Sequence, residues 1–290
     1  IGDLGDKKEF LPYIFALPVF LLVIVGSFFW GRVYIAEVYM QRALMASAKN
    51  DASTMYRMMA GAINTNPARD SYHSTYAQTN ILLANNLSAK TDITEDEKTA
   101  VQNFISQAIR STRAATEVLN PLNVNNWETR AFVYKALTGA AKDADQWTIS
   151  AYSNAIQLDP TNARLRLELG YVYFGQKDYL NAANLFRQAT GLKNDYANAH
   201  YNFGHALQEL KSYNEAQREY ETTQKLLPAD SEDYKKVTED LEAVKQLIAQ
   251  TQPVSDQTMP SVADLEGSTP VPASDQTETA QPQEPLVEPK

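Results

Sequence analysis

Phe10 to Gly31 form 22 successive positions without a charge, bracketed by Lys7, Lys8 and Glu9 on one side and Arg32 on the other. As a helix, this run measures about 33 Å, enough to cross a hydrocarbon core of ~30 Å. Tyr13, Trp30 and Tyr34 sit near its ends, where amphipathic aromatic rings settle between lipid and water. Pro12 and Pro18 fall in its first half, where a kink is tolerated in lipid. A signal peptide has a shorter apolar region and a small-residue cleavage site, whereas Gly26-Ser27-Phe28 is followed by bulky residues. The pattern predicts a transmembrane helix over 10–31 after a flank of residues 1–9. Lys7 and Lys8 precede the run and Arg32, Arg42 and Lys49 follow it, a nearly balanced count. The lysine pair closest to the run tilts the basic bias toward a cytoplasmic N-terminus, which places the remainder outside the cytoplasm.

From Val33 to Gln250 the hydrophobic pattern is helical throughout, with few strand-like alternations. Four prolines punctuate it, at Asn66-Pro67, Asn120-Pro121, Asp159-Pro160 and Leu227-Pro228. Each follows an amphipathic stretch and marks a helix stop, because proline cannot continue the hydrogen-bond ladder. Beyond Gln250 the composition changes. Seven of the 13 prolines lie there among Ser, Thr, Gln and acids. Large apolar residues are too sparse to offset the entropy of ordering, so 251–290 reads as a disordered acidic tail.

Within the helical region the chain repeats. Residues 163–196 and 197–230 align at an offset of 34: Leu169-Gly170 on Phe203-Gly204, Tyr173 on Leu207, Tyr179 on Tyr213, Ala182 on Ala216, Phe186 on Tyr220 and Leu192 on Leu226. This pattern resembles the tetratricopeptide repeat (TPR) family. In the repeat, a small residue at position 8 and an alanine at position 20 let two antiparallel helices approach, and large residues fill the remaining space. An ordinary helical bundle would not keep small residues in step at a fixed offset. Three weaker copies precede these two. One carries Trp127, Ala131, Tyr134, Tyr152, Ala155 and Pro160 around an insertion at Leu137–Gln146. One occupies residues 70–122, with Tyr76-Ala77 at packing positions, an extended loop at Thr91–Glu97 and Pro121 as its end. One begins near Ala36, with Tyr39, Ala43, Ala62 and Pro67 in place. The expected fold is an all-α, TPR-type α-solenoid over 33–250. It has about five helix pairs, then a capping helix from Asp230-Ser231 whose Leu241, Val244, Leu247 and Ile248 share a face.

Composition narrows the function. The chain has 290 residues, 44% of them hydrophobic and 21% charged, which excludes a wholly disordered chain and a multi-pass membrane protein. Cysteine is absent, which removes disulfides, thiolate metal sites and cysteine nucleophiles. The net charge is −9, which argues against nucleic-acid binding. The tail holds seven acids and one lysine, so the folded part is close to neutral. The first residue is Ile1, which suggests a processed form or a piece of a longer chain.

Chemistry-bearing motifs are missing: there is no phosphate-binding glycine loop, no nucleophile elbow and no zinc-protease motif. His200 and His205 are five residues apart, about 140° around a helix, and do not share a face. His200 takes a packing position and His205 faces the groove. His73 is isolated from both. No catalytic residue, metal site or cofactor is expected. Asn86-Leu87-Ser88 matches a glycosylation sequon, a short and weak signal.

The resemblance to TPR proteins implies a concave surface, lined by the first helix of each pair, that receives a partner protein or peptide. By the repeat alignment its residues are Asn125, Glu128, Phe132, Lys135, Arg164, Leu167, Tyr171, Asn198, Tyr201, Asn202, His205 and Gln208. Asn202 matches an asparagine that some family members use to clamp a C-terminal carboxylate. Leu167 and Tyr201 stand where such clamps have lysines, which argues against that mode. The order of a span followed directly by repeats is also similar to the end of bacterial O-antigen ligase or polymerase-like membrane proteins. The segments that carry this are Tyr34-Ile35-Ala36-Glu37, residues 120–128, Leu158-Asp159-Pro160-Thr161-Asn162 and residues 196–202. That resemblance implies a role in cell-surface glycan assembly, with the catalytic part located upstream. The principal expectation is a membrane-anchored scaffold that binds a partner protein and performs no catalysis itself.

Overall fold

The computed structural model describes residues 6–251, and their side chains from residue 16. The expected tail lies outside the described residues from 252 on. Among the described residues the secondary structure is helical: α1 (Asp6–Ala48), α2 (Ala52–Thr65), α3 (Asp70–Ser88), α4 (Glu95–Arg113), a π turn (Ala114–Leu119), α5 (Val124–Lys135), α6 (Ala144–Leu158), α7 (Ala163–Gly175), α8 (Tyr179–Leu192), α9 (Ala197–Glu209), α10 (Tyr213–Leu226) and α11 (Glu232–Thr251). The chain divides into two compact units, one ending at Pro121 and the next starting at Leu122.

In the first unit α1 pairs with α2, and α3 with α4. Helix α1 runs without a break from the apolar stretch into the first repeat helix. Every described side chain from Ala16 to Trp30 is exposed except the half-buried Gly26, so this stretch is not a core helix of the structure. The burial pattern changes at Ala36. Ala36 and Ala43 are fully buried, as is Ala62 on α2. Ala36, Ala62 and Tyr72 form a core with Tyr39, Met40 and Ile63 packed on it. Gly61 brings α2 close, since a Cβ there would sit 3.1 Å from the Tyr39 ring.

Between α2 and the α3–α4 pair, Tyr56 stacks on Tyr76 at 5.5 Å and meets Phe104 edge-on. Both tyrosine hydroxyls donate to Gln107 Oε1. The loop expected at Thr91–Glu97 is shorter than that, because Thr94 caps α4. Its hydroxyl accepts from the Glu97 amide, and the Glu97 carboxylate accepts from the Thr94 amide at 2.9 Å, a reciprocal capping box. After α4 the ladder widens to i+5 spacing through the π turn, closing with the Asn120 amide on the Ala115 carbonyl at 3.0 Å. Pro121 then ends the unit.

In the second unit the pairs are α5–α6, α7–α8 and α9–α10, with α11 packed on α10. Asn123 and Asn162 cap α5 and α7 by accepting from the amides of Asn125 and Arg164. Residues 137–143 of the expected insertion form the turns between α5 and α6, where Gly139 has φ +79° and Asp143 φ +59°, whereas Ala144, Asp145 and Gln146 already belong to α6. The turns that close α7 and α9 are copies of each other at the 34-residue offset. Lys177 and Lys211 both have φ +63°, and the amides of Asp178 and Ser212 return to the carbonyls of Tyr173 and Leu207, each at 2.9 Å. Phe186 and Tyr220 are fully buried on α8 and α10, each against the position-8 glycine of its own pair. Ser231 caps α11 by accepting from the Tyr234 amide at 3.1 Å. Val237, Leu241 and Val244 of α11 join the core, with Leu247 and Ile248 half-buried.

The two glycines set the distance between paired helices. A Cβ on Gly204 would lie 2.7 Å from Tyr220 Cε1, and one on Gly170 would lie 2.7 Å from Phe186 Cδ1. Gly175, at the end of α7, has open space around it. Thermal or urea unfolding of Gly170→Ala should therefore show a loss of about 1–3 kcal/mol from overpacking. Gly175→Ala should be neutral or slightly stabilising, by up to about 1 kcal/mol, through the unfolded chain and helix propensity. Equal effects of the two substitutions would contradict the close-approach argument.

Candidate partner-binding groove

In the second unit polar and aromatic side chains link the first helices of the pairs in succession, α5 to α7, α7 to α9 and α9 to α11. Position 9 of successive repeats carries a ring each time: Phe132 on α5, Tyr171 on α7 and His205 on α9. Phe132 is 45% exposed, whereas Tyr171 and His205 are half-buried. The rings behind these two hold them in place. Tyr171 meets Phe186 edge-on at 5.7 Å, and His205 meets Tyr220 edge-on at 5.4 Å. Such contacts contribute about 0.5–1.5 kcal/mol beyond burial and fix ring orientation.

Polar contacts tie neighbouring helices across the face. Arg164 donates through Nη2 to both carboxylate oxygens of Glu128, at 2.7 and 2.6 Å. Lys135 Nζ donates to Glu168 at 3.1 Å and sits 5.8 Å over the Tyr171 ring. The Tyr171 hydroxyl donates to Asn198 Oδ1 at 3.1 Å and accepts from Asn202 Nδ2 at 3.0 Å. The same amide nitrogen donates to the Asn198 carbonyl and to its Oδ1. Tyr201 donates to Asp240 Oδ2 of α11 at 2.7 Å, packs edge-on against His205 at 4.5 Å and carries Lys236 Nζ 5.2 Å over its ring. Gln208 accepts from the buried Tyr220 hydroxyl at 3.0 Å. Asn125 is on the first turn of α5, where its amide is capped by Asn123.

Leu167 corrects the sequence expectation. It is 2% exposed and belongs to the core with Ala183, Phe186, Ala199 and Phe203. Tyr201, at the equivalent position of the next repeat, keeps its ring at the edge because its hydroxyl has a carboxylate to reach. A leucine has no polar tip and is taken wholly into the core. Three residues of this face were missed in the sequence: Glu168, Lys236 and Asp240. A signal for one existed. Extending the 34-residue offset one step further places Lys236 on Glu168 and Asn202, and Val237 and Leu241 on the core positions of Phe203 and Leu207. Helix α11 thus occupies the place of a further first helix. Between α9, the end of α10 and α11 lies a cleft of about 420 Å³, lined by Asn198, Tyr201, Leu227, Asp233, Lys236 and Val237 among others.

Two histidines differ by environment. His200 Nδ1 lies 2.7 Å from Glu219 Oε2, and its Nε2 lies 3.1 Å from the Asn194 carbonyl. The bond to Glu219 raises its pKa above the ordinary imidazole value. Burial pushes His205 down, against the pull of Asp240 at 3.6 Å. Burial likewise raises the Tyr171, Tyr201 and Tyr220 hydroxyls, so all three stay protonated donors at neutral pH. Among the described residues no group of His, Asp and Glu is arranged to hold a metal.

Residues 173–241 match the tetratricopeptide repeat family. No curated protein matches the chain. Among solved structures, the crystal structure of MamA protein superposes with a TM-score of 0.50 at 15% identity, covering 77% of this chain and 98% of that one. A MamA RS-1 double mutant gives 0.51 at 12% identity, covering 66% and 93%. A thermophilic TPR protein from Thermus thermophilus gives 0.48 at 15% identity, covering 73% and 99%.

Because the bond to Glu219 raises the folded-state pKa of His200, its contribution to stability is complete below the ordinary histidine value and disappears as pH rises through the folded value. The Tm difference between wild type and His200→Gln should be larger at about pH 5 than at about pH 9. A difference independent of pH would contradict the charged pairing. The helix pairs, the turns repeated at 34 residues and the family match at 173–241 make this fold a TPR-type α-solenoid.

Proposed function

We propose that the face formed by α5, α7, α9 and α11 binds an extended segment of a partner protein, and that residues 10–31 hold the chain in a membrane. The observation that carries the binding reading is the row of Phe132, Tyr171 and His205, each braced from behind or left exposed, beside the carboxamides of Asn198 and Asn202. Aromatic rings supply contact area at low entropic cost, and carboxamides can donate to and accept from a peptide backbone. The charges along the face are mostly paired: Arg164 with Glu128 and Lys135 with Glu168. This favours a partner segment of low net charge, not a carboxylate-clamped terminus. The face acts as a scaffold, with the chemistry of binding and not of catalysis.

The membrane reading rests on α1, which among the described residues is the helix long and apolar enough to cross a bilayer by length and composition, and on the exposure of its side chains from Ala16 to Trp30. Lys7 and Lys8 before it support a cytoplasmic start and an extracytoplasmic repeat region. A second reading, the repeat-bearing end of a glycan ligase or polymerase-like membrane protein, rests on the resemblance of residues 34–37, 120–128, 158–162 and 196–202 to the end of such proteins.

The test is to select peptides from a display library against the full chain in lipid nanodiscs. A selected peptide should bind Tyr171→Ala and Asn202→Ala about tenfold or more weakly than wild type, the loss typical of a central contact. Arg218→Ala, an exposed change away from the face, should bind normally. Peptides that bind all variants equally would remove the basis for this groove.

A further inference from the structure

The join between the apolar stretch and the first repeat has a geometry of its own. Helix α1 continues from Asp6 to Ala48 with no intervening loop. The unbroken stretch of exposed apolar side chains ends at Trp30. Past it Val33, Tyr34 and Ile35 are exposed beside the half-buried Arg32, as aromatic and apolar side chains are at a lipid–water boundary. The first fully buried repeat residue is Ala36. About 9 Å of helix separates Trp30 from Ala36, at 1.5 Å per residue. The layer of lipid headgroups on each side of a bilayer is ~5–7 Å thick. The repeat core therefore begins at the outer edge of the headgroups, with no tether in between.

Helix α2 runs back along α1 and brings its own end down to the same level. Arg32 Nε donates to the Thr65 carbonyl at 3.0 Å, so the last turn of α2 is pinned beside the first charged residue after the apolar run. The Arg32 guanidinium also lies 6.0 Å from the Phe28 ring centroid. The turn that follows, Asn66-Pro67-Ala68-Arg69, leads into α3, and Pro67, Ala68 and Arg69 lie at its surface. Arg69 reaches Glu37 at 3.6 Å, about 7.5 Å further along α1 than Arg32. Tyr72 donates to the same carboxylate, bonding Glu37 Oε2 at 2.9 Å. These contacts close the turn onto α1 and hold it at a fixed height.

We infer that the α2–α3 turn rests on the bilayer surface, with Ala68 at headgroup level and Arg32 against lipid phosphate, so that the first helix pair is mounted rigidly on the membrane. This rests on the proposed span and deepens it, because a span joined by a flexible linker would leave the repeats free to tumble. Arg69 and Glu37 neutralise each other. Arg32 is then the cation facing the phosphates, and the seat is set by geometry more than by anionic lipid.

The chain has no cysteine, so single labels can be placed cleanly. Ala68→Cys and Ser47→Cys of the full chain, each carrying a fluorophore, are reconstituted in phosphatidylcholine vesicles containing a headgroup spin-labelled lipid. Ser47 lies about 22 Å of helix beyond Arg32. Quenching should be strong at Ala68 and weak at Ser47, given that separation. A flexible Gly-Ser insertion between Gly31 and Arg32 should reduce the Ala68 signal to the Ser47 level while the chain still floats with the vesicles. Equal weak quenching at both sites, or a signal unchanged by the insertion, would overturn the rigid seat. Failure of the uninserted chain to float would instead overturn the span on which it rests.

Discussion

The close approach of paired helices at a glycine is the contact on which the second unit depends. At Gly170 and Gly204 the space of a missing side chain is filled by an aromatic ring from the partner helix. That ring cannot be moved without opening the pair, because the core around it is close-packed. The ring has a second face to satisfy. Phe186 supports Tyr171 from behind, and Tyr220 supports both Tyr201 and His205. One interaction thus serves two ends: it sets the spacing of the pair and it orients the side chains on the face proposed to bind a partner.

The polar contacts across that face are of a different kind. Arg164 with Glu128, Lys135 with Glu168 and Tyr201 with Asp240 link successive first helices at the surface. Exposed ion pairs contribute little to stability, about 0–1 kcal/mol each. The two ion pairs hold long side chains in defined positions and cancel charge along the proposed binding face, and the Tyr201 hydroxyl bond orients Asp240 without cancelling its charge. The first unit uses a related device for another purpose. There a small residue, Gly61, admits Tyr39, and Arg32 ties the end of α2 to α1 just past the apolar run.

Much of this was readable in the residues, because helix pairing imposes a strict period. Gly170 and Gly204, Ala182 and Ala216, and Phe186 and Tyr220 recur at one offset, and the pairs follow from them. Features outside that period were harder to see. The Thr94–Glu97 capping box was visible as a local motif but reads as loop because it follows a run of polar residues. The π turn at 114–119 leaves no compositional mark. Position alone assigns Leu167 to the groove, and its side-chain chemistry sends it to the core instead. Asp240 escapes notice when α11 is taken as a cap, although the apolar residues of α11 continue the repeat. The remaining residues of the proposed binding face follow from analogy of position. The structure shows how they touch one another, which the spacing alone could not.

Hydrogen exchange measured on Gly204→Ala beside the wild-type chain tests the central link most directly. If the glycine contact both spaces the pair and supports the face, amides of α9, α10 and the facing part of α11 should exchange faster together. The α5–α6 amides should keep their protection, since stability in repeat arrays passes mainly between neighbours. Faster exchange confined to α10, with α9 and α11 unchanged, would show that the face stands independently of the core contact and would contradict the account.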